Sequence, residues 1–161
     1  MRGWARGWPG GSDSAPPAGV FTTQFSFLKA NWGHITPFAS LDSPVVMDFE
    51  RFQYAFVNDL PLAVQRAAFD AFVVPESRHV PRDALGARID FSRPHAPLLF
   101  IAGANDNIIP ASLNLSNYRR YKATDSVVDY KAFPGRTHFI IGQDNWREVA
   151  DFTLDWLSRQ A

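Results

Sequence analysis

An imidazole shuttles a proton well when a carboxylate accepts a hydrogen bond from its Nδ1–H. That bond fixes the tautomer, leaves Nε2 free to take and return a proton, and stabilises the imidazolium formed in between. The sequence offers one pair placed for this. Asp106 stands in Gly103-Ala104-Asn105-Asp106, with Pro110 four residues on, and His138 stands in Pro134-Gly135-Arg136-Thr137-His138-Phe139. Each closely follows an apolar run that reads as a strand, and open parallel sheets place their sites just beyond the carboxyl ends of strands. If the two strands are neighbours, both side chains leave the same rim. Taken singly, each has a plainer use: Ala-Asn-Asp-Asn is good turn chemistry, and a lone loop histidine commonly bonds the backbone.

The elements that must position this pair lie after Pro94. Residues 97–103, PLLFIAG, form a short, continuously apolar run closed by glycine, the pattern of a strand buried on both faces of a parallel sheet. Pro110 then opens a helical stretch, and residues 126–133, SVVDYKAF, make a second strand. A closing helix follows, with Trp146, Val149, Phe152 and Trp156 at helical spacing, joined by Ala150 and Leu157. Strand, helix, strand, helix is the order of a parallel α/β layer with right-handed crossovers. Two strands alone cannot bury both faces or satisfy both edges, so this half reads as the end of a larger sheet.

Upstream the character changes. Of fourteen phenylalanines, ten precede residue 92, which suggests two segments with different jobs. Phe49, Phe52 and Phe56 fall on one helical face with Asp48 as cap. Val64, Ala67, Ala68, Ala71 and Phe72 define the apolar face of a second helix, with Asp59 as cap, Gln65, Arg66 and Asp70 opposite, and Pro75 as stop. Residues 20–47 are apolar but broken by Pro37 and Pro44, and the first nineteen or so are irregular, rich in Gly and Pro.

Composition narrows the function. Sixteen basic and sixteen acidic residues cancel, which argues against a general nucleic-acid binder or a polybasic membrane-surface protein. With no cysteine, disulfides, a thiolate nucleophile and Cys-ligated metals are excluded. No apolar run reaches the roughly 18 residues of a membrane span. The start, MRGWARGWPGG, lacks the apolar core of a secretory leader, so a cytoplasmic location is expected. His34, His79 and His95 have no partner at metal-ligand spacing, and no metal or cofactor is expected.

From about Ser14 onward, and most specifically over residues 96–160, the sequence resembles the α/β-hydrolase family. Members end with an apolar strand, a G-x-x-D-x-x-x-P turn, a helix, a strand, a G-x-x-H-F loop and a helix finishing in W-L. This chain has Gly103, Asp106 and Pro110, then Gly135, His138 and Phe139, then Trp156-Leu157. The resemblance implies an α/β fold of that type, with Asp106 as triad acid and His138 as triad base. It also implies a helical lid over 14–93, a core end over 94–161 and an unassigned stretch over 1–13. SAPPAGV (14–20) resembles the exit from the strand before the lid.

The family's serine stands on a G-x-S-x-G elbow between a strand and a helix, upstream of the lid. The nearest imitation is Gly10-Gly11-Ser12-Asp13-Ser14, but Pro9 stands where the strand should end and Pro16-Pro17 where the helix should begin. Ser12 is therefore not assigned as nucleophile. The expected chain retains triad acid and base without serine or oxyanion hole, as though read from a late start, and does not hydrolyse its small-molecule ester or amide substrate alone. The alternative is a non-catalytic interaction module that pairs its open sheet with another chain, as a homodimer or with a complementing chain.

Other candidates have plainer uses. Ser112 and Ser116 fall on a helix, not an elbow, and the Tyr118, Arg119, Arg120, Tyr121, Lys122 cluster reads as a solvated helix face. A phosphatase-like Asp106 would want a second acidic residue close by, and its near neighbours are amides and aliphatics. The lid phenylalanines are expected mainly to pack the lid on the core, with an acyl or aromatic substrate pocket as the alternative. An incomplete sheet also has a stability consequence: the isolated chain is expected to be marginally stable or prone to aggregate. Cooperative unfolding of a monomer with sharp near-ultraviolet circular dichroism would contradict this.

Overall fold

In a computed structural model the described residues are 11–12, 16–35, 40, 43–121 and 125–160, with only the backbone described at 11–12, 33–35 and 81–82. Gly10, Asp13 and Ser14 of the elbow imitation, Phe38 and Lys122 lie outside them, as do the side chains of Ser12 and His34. The order is β1 (Gly11–Ser12), α1 (Phe25–Ile35), α2 (Phe49–Ala55), α3 (Leu62–Phe72), α4 (His79–Gly86), β2 (Leu98–Gly103), α5 (Ala111–Tyr118), β3 (Val128–Phe133) and α6 (Trp146–Ser158).

The two strands read from the sequence are β2 and β3, and they pair in parallel from Leu98↔Val128 to Gly103↔Phe133. Every residue of β2 is buried, which is what its unbroken apolar run requires. The structure adds a third strand to the expected two. β1 pairs with β2 in parallel at Gly11↔Phe100 and Ser12↔Ile101, giving the sheet order β1-β2-β3. It falls in a stretch expected to be irregular, because the paired residues Gly11 and Ser12 carry no apolar alternation to detect.

One face of the sheet is covered by α6. Leu99, Ile101, Phe133, Ile140, Val149 and Trp156 form its core, and the Trp156 indole donates to Asp129 Oδ2 at 2.6 Å, fastening α6 to β3. Trp146, expected on this face, is 42% exposed, since it stands at the first helical position, beyond the sheet's cover. On a second cluster Val20, Ala30, Ala55, Ile108, Ile109 and Leu113 join α1, α2 and α5, so the helical segment rests on the turn that carries Asp106.

α2 forms as its sequence predicts. Asp48 caps it by accepting from Arg51 N at 2.8 Å, and Phe52 is buried, stacked on Phe56 and edge-on to Phe69. α3 forms where expected but is turned about its axis. Its buried residues are Gln65 and Ala68, whereas Val64 is 38% and Phe72 64% exposed, and Ala67 and Ala71 also face solvent. The cause is a hydrogen bond that periodicity cannot see: Gln65 Nε2 donates to Val57 O at 2.9 Å, and Gln53 donates to Gln65 Oε1. A buried amide so satisfied outweighs the modest gain from a rotated apolar face. Asp59 does not cap α3; Pro61 holds that position, and Asp59 accepts from the Asn105 amide instead. The phenylalanines divide accordingly, with Phe52, Phe56 and Phe69 packed and Phe21, Phe25 and Phe72 exposed.

The basic-aromatic cluster is not a simple solvated face. Tyr118 and Tyr121 pack against Phe100, burial pushes the Tyr121 phenol pKa up, and Arg120 donates to Gly19 O.

The end of β2 is pressed against the loop after β3. A Cβ on Gly103 would stand 2.5 Å from Arg136 O and 2.6 Å from Thr137 O, both backbone atoms that cannot swing aside. Gly103→Ala is therefore expected to destabilise the chain by about 1–3 kcal/mol, read as a lowered urea midpoint; an unchanged midpoint would show that the two segments are less tightly joined.

Candidate acid–base site

Asp106 and His138 meet at the rim that β2 and β3 share. The matched ends of the strands set this up, since Gly103 pairs with Phe133 and each chain then turns over the sheet's carboxyl edge. Beyond β2, Asp106 N donates to Gly103 O at 3.2 Å, closing a tight turn. The carboxylate then works in two directions. Oδ1 accepts from both Ile108 N and Ile109 N at 2.8 Å, and Oδ2 lies 2.8 Å from His138 Nδ1. The turn-former role and the imidazole-partner role, alternatives when read from sequence, are filled by the two oxygens of one group. The Asp106 side chain is 0% exposed and that of His138 is 21% exposed.

With Asp106 ionised, Nδ1 carries the proton and donates it, and Nε2 is the free lone pair. Among the described residues none hydrogen-bonds to Nε2. The arrangement can accept a proton at Nε2 and hold the resulting cation against a buried carboxylate.

The loop bearing His138 is built to be stiff. Gly135 takes a φ of +67°, which favours glycine, and turns the chain out of β3. Asn105 N donates to Arg136 O at 2.8 Å and Ala104 N to Phe133 O at 3.0 Å, stitching this loop to the Asp106 turn. Thr137 is fully buried, and its N–H donates to Gln143 Oε1 at 2.9 Å. The Gln143 amide in turn donates to Gly135 O at 3.4 Å, so one side chain spans the loop on both sides of Arg136. Arg136 itself is buried and pairs with Glu148 on α6. Phe139 N donates to Phe56 O at 3.1 Å, and the Phe56 ring stands edge-on to the imidazole with centroids 4.8 Å apart. Sequence reasoning missed Gln143, Arg136 and Phe56, because each acts across a contact that only the fold creates.

His79, His95, Ser112 and Ser116 make their contacts apart from this pair. His79 opens α4, and His95 Nδ1 lies 2.6 Å from Ala96 O with its ring against Tyr121. Ser112 Oγ accepts from Gln24, and Ser116 Oγ donates to Ser112 O, both helix-surface contacts. Among the described residues no group of three or more His, Cys, Asp or Glu could hold a metal ion, and no helix is long and apolar enough to cross a membrane.

Comparison with known proteins finds no matching family model and no matching curated protein. Among solved structures, the chain is similar to the crystal structure of Paleococcus ferrophilus monoacylglycerol lipase, with a TM-score of 0.55 and 19% sequence identity. The likeness covers 94% of this chain and 58% of the lipase chain, so this chain spans less than two thirds of that structure. At that identity the likeness is one of fold: the chain has an α/β architecture of the α/β-hydrolase type, represented in part.

Asp106 satisfies two buried backbone donors as well as the imidazole. Asp106→Ala is expected to cost about 1–3 kcal/mol for each buried N–H left without an acceptor. Asp106→Asn, which keeps an oxygen for Ile108 and Ile109, is expected to cost less. Urea unfolding of the two variants checks the order; equal losses would mean that the backbone bonds at Oδ1 contribute little.

Proposed function

We propose that Asp106 and His138 are the acid and base of a serine-hydrolase triad acting on small-molecule esters or amides. The nucleophilic serine and the oxyanion donors are supplied by sequence other than these 161 residues. The observation that carries this reading is the 2.8 Å contact between a fully buried carboxylate and the Nδ1 edge of a partly exposed imidazole at adjoining strand ends. It is supported by a fold similar to that of a monoacylglycerol lipase, of whose chain the likeness covers 58%. In this reading residues 14–93 form the lid, 94–161 the end of the core, and the protein works in the cytoplasm.

The chemistry follows from the pair. His138 Nε2 removes the proton of the serine hydroxyl as its oxygen attacks the carbonyl carbon, and Asp106 stabilises the imidazolium. The imidazolium then protonates the leaving alcohol or amine as the carbonyl–heteroatom bond breaks, leaving an acyl-serine. Water, deprotonated by the same Nε2, releases the acid and regenerates the serine. Oxyanion donors, each worth on the order of 100- to 1,000-fold in rate, are part of the full site.

The second reading is an interaction module whose sheet is completed by a second copy or by another chain. It is favoured by large exposed apolar residues such as Leu62, Phe72 and Leu154.

Fluorophosphonate labelling followed by intact mass separates these readings. The folded 161-residue chain is expected to remain unlabelled. A longer product encoded in frame with upstream DNA is expected to label at one serine, with ester hydrolysis falling on the order of 10⁴-fold in Asp106→Asn. Labelling of the short chain that disappears in His138→Ala would place the nucleophile within these residues. A stable dimer or complex without esterase activity, with no such serine encoded upstream, would favour the interaction module.

A further inference from the structure

The end of α2 and the turn after it touch the Asp106 turn, through Asn105 and Asn107, and His138 itself. Toward the Asp106 side, Tyr54 O accepts from Asn107 Nδ2 at 2.9 Å and Asn58 Nδ2 donates to Asn105 O at 3.1 Å. Asp59 Oδ2 accepts from the Asn105 amide. Toward the His138 side, Phe56 O accepts from Phe139 N at 3.1 Å, and the Phe56 ring meets the imidazole edge-on, 4.8 Å between centroids and 81° between planes. Phe56 is itself held from behind by Phe52, stacked at 5.3 Å and buried.

An imidazole turns easily about its terminal torsion, which has broad, roughly two-fold wells. One hydrogen bond to Asp106 fixes where Nδ1 points only while nothing else competes for the ring. A phenyl ring set across the imidazole removes the space for rotation, and a main-chain bond to the next residue fixes the Cα from which it hangs.

We propose that Phe56, at the carboxyl end of α2, is a positioning residue for His138: its ring and carbonyl hold the imidazole in the orientation that presents Nδ1 to Asp106 and leaves Nε2 free. The segment expected to be a lid thus has one part committed to the site, and displacing the turn after α2 would unmake the acid–base pair. This inference rests on reading Asp106 and His138 as an acid–base pair.

The test uses the ¹⁵N-labelled 161-residue chain at about pH 8, where an ordinary imidazole is neutral, and reads the His138 tautomer from two-bond ¹H–¹⁵N correlations. The wild-type chain is expected to show the single Nδ1–H tautomer, and Asp106→Asn to lose it. Phe56→Leu keeps apolar volume and the carbonyl but removes the edge-on ring. It is expected to lose the single-tautomer signature at His138 while His95 is unchanged and far-ultraviolet circular dichroism is retained. Phe52→Leu, which keeps apolar volume behind Phe56 and leaves the Phe56 ring present, is expected to lower stability yet keep the signature. A single tautomer in folded Phe56→Leu overturns the positioning role while leaving the acid–base reading intact. Absence of the Nδ1–H tautomer in wild type, or its survival in Asp106→Asn, overturns both. If Phe56→Leu does not fold, nuclear Overhauser contacts between the Phe56 and His138 rings in the wild-type chain decide, and their absence overturns the proposal.

Discussion

Removing a carboxylate from water costs several kcal/mol unless donors replace the water it loses, and the Asp106 side chain is wholly buried. The molecule supplies three donors: two consecutive backbone N–H groups from its own turn and one ring nitrogen from a loop thirty-two residues away. Much of the remaining architecture serves to bring that third donor to the place. The β2–β3 register ends both strands at the same level, and Gly103 lets the two exits touch. Gln143 and the Arg136–Glu148 pair then stop the His138 loop from drifting away. The Asp106–His138 contact is thus also a packing requirement, since the imidazole is one of the three donors that the buried carboxylate needs.

The helical segment ahead of the sheet is less uniform than its aromatic content suggests. α1 and α2 share a buried cluster with Ile108 and Ile109, the residues whose N–H groups Asp106 accepts. α3 instead commits its buried face to Gln65 and Ala68 and leaves Leu62, Val64 and Phe72 toward solvent. One half of the segment is therefore foundation and the other half surface. A single aromatic count could not separate them, because phenylalanine serves both.

What the sequence revealed follows from how local each signal is. β2, β3, the Asp106 turn and the His138 loop are written in consecutive residues: an apolar run, a glycine, an aspartate at a fixed offset. That both side chains leave one rim was read only on the condition that the two strands are neighbours, and the β2–β3 pairing meets that condition. The cap at Asp48 was legible because it is local, bonding three residues away. The rotation of α3 was not, since Gln65 bonds Val57 across a turn, nor was Asp59, which exchanged a cap for Asn105. Gly11 and Ser12 of β1 carry no apolar period, and Phe56 gains its neighbour only when the chain has folded.

The pairing of β1 with β2 also bears on the order in which the molecule assembles. Between β2 and β3 the chain need close only a loop containing α5, whereas Gly11 reaches Phe100 across the whole of α1 to α4. A loop roughly threefold longer costs about 1 kcal/mol more entropy to close, and contacts of great sequence separation form slowly. Loop entropy therefore favours building the β2–β3 rim from the C-terminal half first, with the N-terminal strand arriving afterwards at a rim already in place. The half that carries Asp106 and His138 is, on this account, the template on which the rest of the chain is laid.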